Sequence, residues 1–150
     1  MYFKLMNNRP ELLTGMSELL EERRHQVVTD AQTVNPVLNG GLEMPVEVTM
    51  DLTGVEDGRE VSVSYSCCEE KGCRKGKAVL RACGKTFLFR ALMTLVRELE
   101  RKGTDDSFEK KETVYLDKNG TMLDCSRNSV LNVETIKKYI RIQAALGMNT

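Results

Sequence analysis

One hundred and fifty residues are enough to enclose a core and few for two, so one domain over residues 1–150 is the expectation. With 41% hydrophobic and 29% charged residues the chain is too apolar to stay disordered. Twenty-two basic residues cancel 22 acidic ones, which excludes a uniformly basic surface.

Along the chain, Leu12, Leu13, Met16, Leu19 and Leu20 recur at helical spacing from Pro10 onward, with Glu18, Glu21 and Glu22 on the other side. Arg23, Arg24 and His25 form its expected last turn, and the pattern predicts an amphipathic helix of about four turns. His25 has no Cys, Ser or second His beside it and reads as a surface residue without a catalytic or metal role. Gln26 to Glu43 is less regular, with valines that supply at most a short strand before Asn39-Gly40-Gly41. Val46, Val48, Met50 and Leu52 then alternate with Glu47, Thr49 and Asp51. After Glu56-Asp57-Gly58, Val61, Val63, Tyr65 and Cys67 alternate with Ser62, Ser64 and Ser66, so the two runs predict an antiparallel hairpin with one apolar face.

The next segment reads as a long central helix from about Arg74 or Lys77 to Arg101, closed by Gly103. Leu80, Cys83, Phe87 and Ala91 form one apolar row, and Leu88, Leu92, Leu95 and Leu99 another. Its best membrane-like stretch, Phe87 to Val96, is cut by Arg90 and is far short of the roughly 20 apolar residues a spanning helix needs. Thr104 to Lys111 is a polar linker, and Thr113–Asp117 and Thr121–Cys125 flank Lys118-Asn119-Gly120 as a second hairpin. Asn132 is a predicted N-cap for a final helix through Ile136, Ile140 and Ala144, with Gly147 as its C′ residue. The expected fold is therefore α+β: antiparallel hairpins packed on a long central helix, with N- and C-terminal helices.

Met1 to Asn8 holds no long apolar run of the signal-peptide kind, so a cytoplasmic location and reduced thiols are expected. A zinc site from Cys67, Cys68, Cys73 and Cys83 is disfavoured, because neighbours on a strand point to opposite faces. Cys83-Gly84-Lys85-Thr86 carries the end of a phosphate-binding loop, but the first Gly of that motif falls on Val79. No nucleophile, paired-acid or metal-ligand pattern marks an enzyme, and no cofactor is expected.

Lys71, Arg74, Lys75, Lys77, Arg81, Lys85, Arg90 and Arg97 follow one another without an intervening acid, which leaves the rest of the chain eight charges negative. On a helix, Arg74, Lys77, Arg81 and Lys85 form a stripe that matches the repeating phosphates of a nucleic-acid backbone without reading bases. The competing account is a solvated face that meets the chain's own carboxylates, those of Glu18, Glu21 and Glu22 among them.

The run Met44-Pro45-Val46-Glu47-Val48-Thr49-Met50-Asp51-Leu52, the Asp57-Gly58 turn, the strand Glu60 to Cys67 and the stretch from Arg81 to Leu92 resemble the core of the single-strand annealing proteins. That superfamily includes the phage essential-recombination-function proteins and the eukaryotic recombination mediator. The resemblance implies a homo-oligomeric ring or filament holding single-stranded nucleic acid in a positive groove, with Lys71, Arg74, Lys75, Lys77, Arg81 and Lys85 on phosphates. It implies strand annealing in recombination, without a cofactor. Thr113 to Leu146 resembles instead the end of the small type III secretion chaperones, which implies a cytosolic dimer whose partner is a protein segment.

Overall fold

Side chains that alternate between core and solvent build one mixed sheet, and helices cover one of its faces, giving the α+β architecture of this computed structural model. It describes residues 1–29, 45–52, 59–70, 73–124, 126 and 130–150. The elements are β1 (Tyr2–Leu5), α1 (Pro10–Glu22), β2 (Gln26–Thr29), β3 (Pro45–Asp51), β4 (Glu60–Glu70), β5 (Cys73–Ala82), α2 (Lys85–Lys102), β6 (Phe108–Thr113) and α3 (Val133–Ala145). The strand order is β2-β1-β3-β5-β4-β6. β1 runs parallel to β2 and β3, β3 is parallel to β5, and β4 is antiparallel to both β5 and β6.

Register places Leu5, Val48, Ala78 and Tyr65 in one row and Met50, Leu80 and Val63 in the next, all buried. Against these rows α2 lays Leu88, Leu92, Leu95 and Leu99, and α1 adds Leu12, Met16 and Leu20. Removing this apolar surface from water at roughly 25 cal/mol per Å² is the main stabilising term.

The expected hairpin between Val46–Leu52 and Val61–Cys67 does not form. β3 lies between β1 and β5, parallel to both, and β4 makes its hairpin with β5. Alternation decides which side chains face the core and is silent about which strand lies alongside. The long helix is also shorter than expected. Residues 73–82 form β5 and the helix begins only at Lys85, with Gly84 as an extended N-cap, while its end at Gly103 (φ 83°) is as expected. Gly76, Ala78, Leu80 and Ala82 alternate with Lys75, Lys77, Val79 and Arg81, and hydrogen bonding on both edges outweighs a helical spacing that the same residues also satisfy. The second hairpin is replaced by one strand, β6, which begins in the segment read as a linker and ends at Thr113; residues 114–124 are not in strand. The turn at Glu56-Asp57-Gly58 and the valines after Val28 lie outside the described residues.

The C-terminal helix matches its signals, whereas the N-terminal helix stops at Glu22, so that Arg23, Arg24 and His25 fall beyond it and not in its last turn. Asn132 accepts a hydrogen bond from the Thr135 amide at 2.8 Å, and Gly147 (φ 88°) closes α3, with its own amide bonded to Ala144 O and that of Met148 to Gln143 O. α1 ends in the same way on a non-glycine: Arg24 has φ 64°, its amide reaches Glu21 O, and the His25 amide reaches Leu20 O. That turn carries His25 inward. Contrary to the surface reading, its side chain is 8% exposed, edge-on to Phe3, with Nε2 3.5 Å from Glu100.

Burial holds the His25 imidazole below its ordinary pKa. The unfolded chain therefore takes up a proton near pH 6.5 that the folded chain resists, so stability is complete above that pH and falls as the solution is acidified through it. Urea midpoints of wild type and His25→Gln compared at neutral pH and near pH 5 should show the drop only in wild type; equal drops refute it.

Candidate interaction surfaces

The sheet's second face carries three of the predicted nucleic-acid residues, Lys75, Lys77 and Arg81. Its rows read Lys4, Glu47, Lys77, Ser66, then Thr49, Val79, Ser64, Glu109, then Asp51, Arg81, Ser62, Lys111. Cations and carboxylates are interspersed on this face and pair: Lys4 with Glu47 at 3.6 Å, Arg81 with Asp51 at 3.2 Å, and Lys111 with Glu60 at 3.5 Å. Lys75 shares this face with Lys77, opposite Cys68, and neither lysine is free of contacts. Lys85, in the first turn of α2, meets Glu11 of α1 at 2.7 Å. Lys71 and the Arg74 side chain lie outside the described residues. Lys75, Lys77 and Arg81 are thus together on a strand face, and Lys85 is on an interhelical ion pair; the four-residue helical stripe does not exist.

The other two cations of the acid-free run converge on one acid. Glu112 of β6 receives Arg90 Nε at 2.8 Å, Thr94 Oγ1 at 2.8 Å and Arg97 at 3.5 Å. Burial works to raise this carboxyl's pKa, but the Arg90 and Thr94 hydrogen bonds and the two guanidinium charges outweigh it and hold it below the usual range. The cluster pins the sheet's edge strand to α2. Cys68 Sγ bonds Lys75 O, burial raises the Cys83 thiol, and among the described residues no group of His, Cys, Asp or Glu is arranged to hold a metal.

A different surface stands out at the C-terminal end. Among the described residues, the exposed large apolar side chains all fall between Tyr115 and Leu146. Tyr115, Leu116, Met122 and Leu123 come from the segment after β6; Val130, Val133, Ile140, Ile142 and Leu146 come from α3 and its flanks. Hydrogen bonds tie the two parts together: Thr121 and Tyr139 join hydroxyls at 2.9 Å, Gln143 Nε2 donates to Thr121 Oγ1, and the Asn149 amide donates to Asn119 O.

α3 is mounted on the core by its small and charged residues. Ala144 and Ala145 are buried, and Arg141 reaches Glu18 at 2.6 Å while Lys138 reaches Glu22 at 3.7 Å. These are two of the acids proposed as partners for the basic stripe, and here they hold the last helix. A groove of about 500 Å³ runs between α1, α2 and α3, floored by Leu19, Met93, Ile142 and Leu146 and walled by Arg23, Arg97 and Glu100. Sequence reading placed α3 correctly but missed its surface, because an amphipathic pattern does not say which of two apolar edges meets the core.

Compared with known protein families and with characterised proteins, the chain matches none.

Proposed function

We propose that the chain is a protein-interaction module of the adaptor or chaperone kind, whose working surface is the apolar C-terminal face. The observation that carries this reading is the orientation of α3, which buries two alanines and leaves Val133, Ile140 and Leu146 more than half exposed. A helix with one packing partner turns its largest apolar side chains toward that partner, since each gains about 1.5–3 kcal/mol on full burial. A helix docked through its alanines has a second apolar edge for another protein surface, and exposed apolar patches of this kind mark interaction sites.

Strand annealing asks for a surface of cations left available to phosphates. Arg81, Lys85 and Arg90 are engaged by Asp51, Glu11 and Glu112, and the open sheet face is mixed in sign, so this second expectation has less support. One experiment compares the two. At submicromolar concentration the folded chain should bind the hydrophobic dye bis-ANS with little dependence on salt. The Met122→Ser/Ile140→Ser variant should lose most of that signal at an unchanged urea midpoint. Absence of dye binding by the folded chain would overturn the reading. So would affinity for a single-stranded oligonucleotide that falls steeply with salt and weakens in Lys77→Ala/Arg81→Ala.

A further inference from the structure

We propose that the groove between α1, α2 and α3 is a binding site for a free long-chain carboxylate, with the acyl tail on its apolar floor and the head among its arginines. This goes beyond the protein-contact reading and concerns another surface. At 100° per residue, Ile142 and Leu146, which border the groove, lie on the side of α3 away from Val133 and Ile140.

Size and lining suit such a ligand. The groove holds about 500 Å³, within the range of ligand sites, over a floor of Leu19, Met93, Ile142 and Leu146. It follows α2 from Arg90 to Glu100, about 15 Å by helical rise, which is roughly the reach of a dozen extended chain bonds. At the Arg90 end a second cavity of about 260 Å³ shares Arg90 and Leu146 with it and is lined by Val61, Phe87, Val114 and Leu116. Between the two lies the methylene stem of Arg90. The guanidinium of that residue is turned to Glu112 at 2.8 Å, while its Cγ and Cδ stand 3.8 Å from where a Cβ on Gly147 would be. A tail therefore meets apolar atoms in the groove and beyond it.

Charge selects the head. Glu22, in the groove wall, is drawn to Lys138 and Arg141 of α3. The single carboxylate of Glu112 serves both Arg90 and Arg97, and Glu100 is paired with His25, whose buried imidazole is neutral at pH 7. Arg23 has no acid partner among the described residues. Three guanidiniums against the carboxylates of Glu112 and Glu100 leave one positive charge in excess, which an anionic head neutralises. The groove also favours a hydrocarbon over an extended peptide. Its walls are three α-helices whose backbone groups bond within each helix, so peptide amides laid there would find no partner, and an acyl chain has none to satisfy.

Calorimetric titration of the full chain with dodecanoate, below its micellar concentration, tests this. One molecule per chain is expected, with decanoate about tenfold weaker because two buried methylenes are lost. Dodecanol should also bind about tenfold more weakly than dodecanoate, and Arg23→Gln/Arg97→Gln should remove that difference. Ile142→Asn should weaken every ligand about tenfold or more, whereas Met122→Ser/Ile140→Ser should leave them unchanged. Urea midpoints identify a variant that fails to fold, and the comparison of dodecanol with dodecanoate needs no variant. The proposal is overturned if dodecanoate does not bind, if dodecanol binds as tightly, or if affinity depends on Met122 and Ile140 in place of Ile142. Capture of an acidic amphipathic helical peptide or of anionic phospholipid vesicles, without uptake of free dodecanoate, overturns it as well. A chain that binds bis-ANS through Met122 and Ile140 but takes up no dodecanoate loses the groove proposal and keeps the protein-contact reading.

Discussion

Gly76→Val should lower the unfolding free energy by about 3 kcal/mol, because the new side chain collides with a ring that cannot withdraw. A Cβ at Gly76 meets Tyr65 Oη at 2.7 Å, Cε2 at 2.8 Å and Cζ at 3.2 Å. Tyr65 is 2% exposed, donates its hydroxyl to Thr104 O at 2.7 Å and lies against Phe108 with ring centroids 5.3 Å apart. Burial pushes its phenol up to about 12, so the group stays protonated and keeps donating at every pH the fold survives. To admit a methyl the ring must shift, which breaks that bond and opens the contact between β4, β5 and β6. Gly76→Ala should cost less, roughly 1–2 kcal/mol, with most of it removed in a Tyr65→Leu background. Chemical denaturation of the four members of that double-mutant cycle measures the coupling; additivity within experimental error would show that the ring is not what constrains position 76.

Glu112→Ala is expected to cost about 2 kcal/mol, below the roughly 3–5 kcal/mol of a fully buried pair, since Arg90 and Glu112 keep 28% and 23% of their surface. The loss comes from the half-buried Arg90 and the buried Thr94, which are left without their acceptor. The pH dependence has a definite sign. The carboxyl titrates below the usual range in the folded chain, so its contribution is complete above about pH 4.3 and disappears as pH falls through the lower folded value. Glu112→Gln should therefore be less stable than wild type at neutral pH and close to it near pH 3. The interval lies below that of His25, so a stability–pH profile separates the two. A Glu112→Gln deficit of equal size at both pH values would mean that shape, and not charge, holds β6 to α2.

Legibility differed from element to element for physical reasons. α1 and α3 were readable because a helix is a local structure: its hydrogen bonds close within four residues, and Pro10, Asn132 and Gly147 mark its limits. The strands β3 and β4 were readable one at a time from their alternation, and their partners were not. The segment 73–82 satisfied two periods at once, and only the presence of β3 and β4 on either side resolved it. β1 escaped notice because four residues carry too little pattern, and β6 because its first four residues, Phe108 to Lys111, read as a charged linker with one apolar side chain, Phe108.

The candidate sites divide along the same line. The sequence shows eight cations without an intervening acid, but residues near in the chain lie on different elements in space, and their counter-charges come from afar: Asp51 to Arg81, Glu11 to Lys85, Glu112 to Arg90. Conversely, the apolar side chains from Tyr115 to Leu146 are unremarkable in composition and become a surface only once Ala144 and Ala145 are seen to take the core contact. By itself the sequence determined the α+β class, both ends of α3, the C-terminal end of α2 and the core face of β3 and β4, because these follow from hydrogen bonds and hydrophobic periodicity over a few residues. Strand order, the pairing of the charges and the face that α3 leaves uncovered were decided by the tertiary structure, because each depends on contacts between residues tens of positions apart.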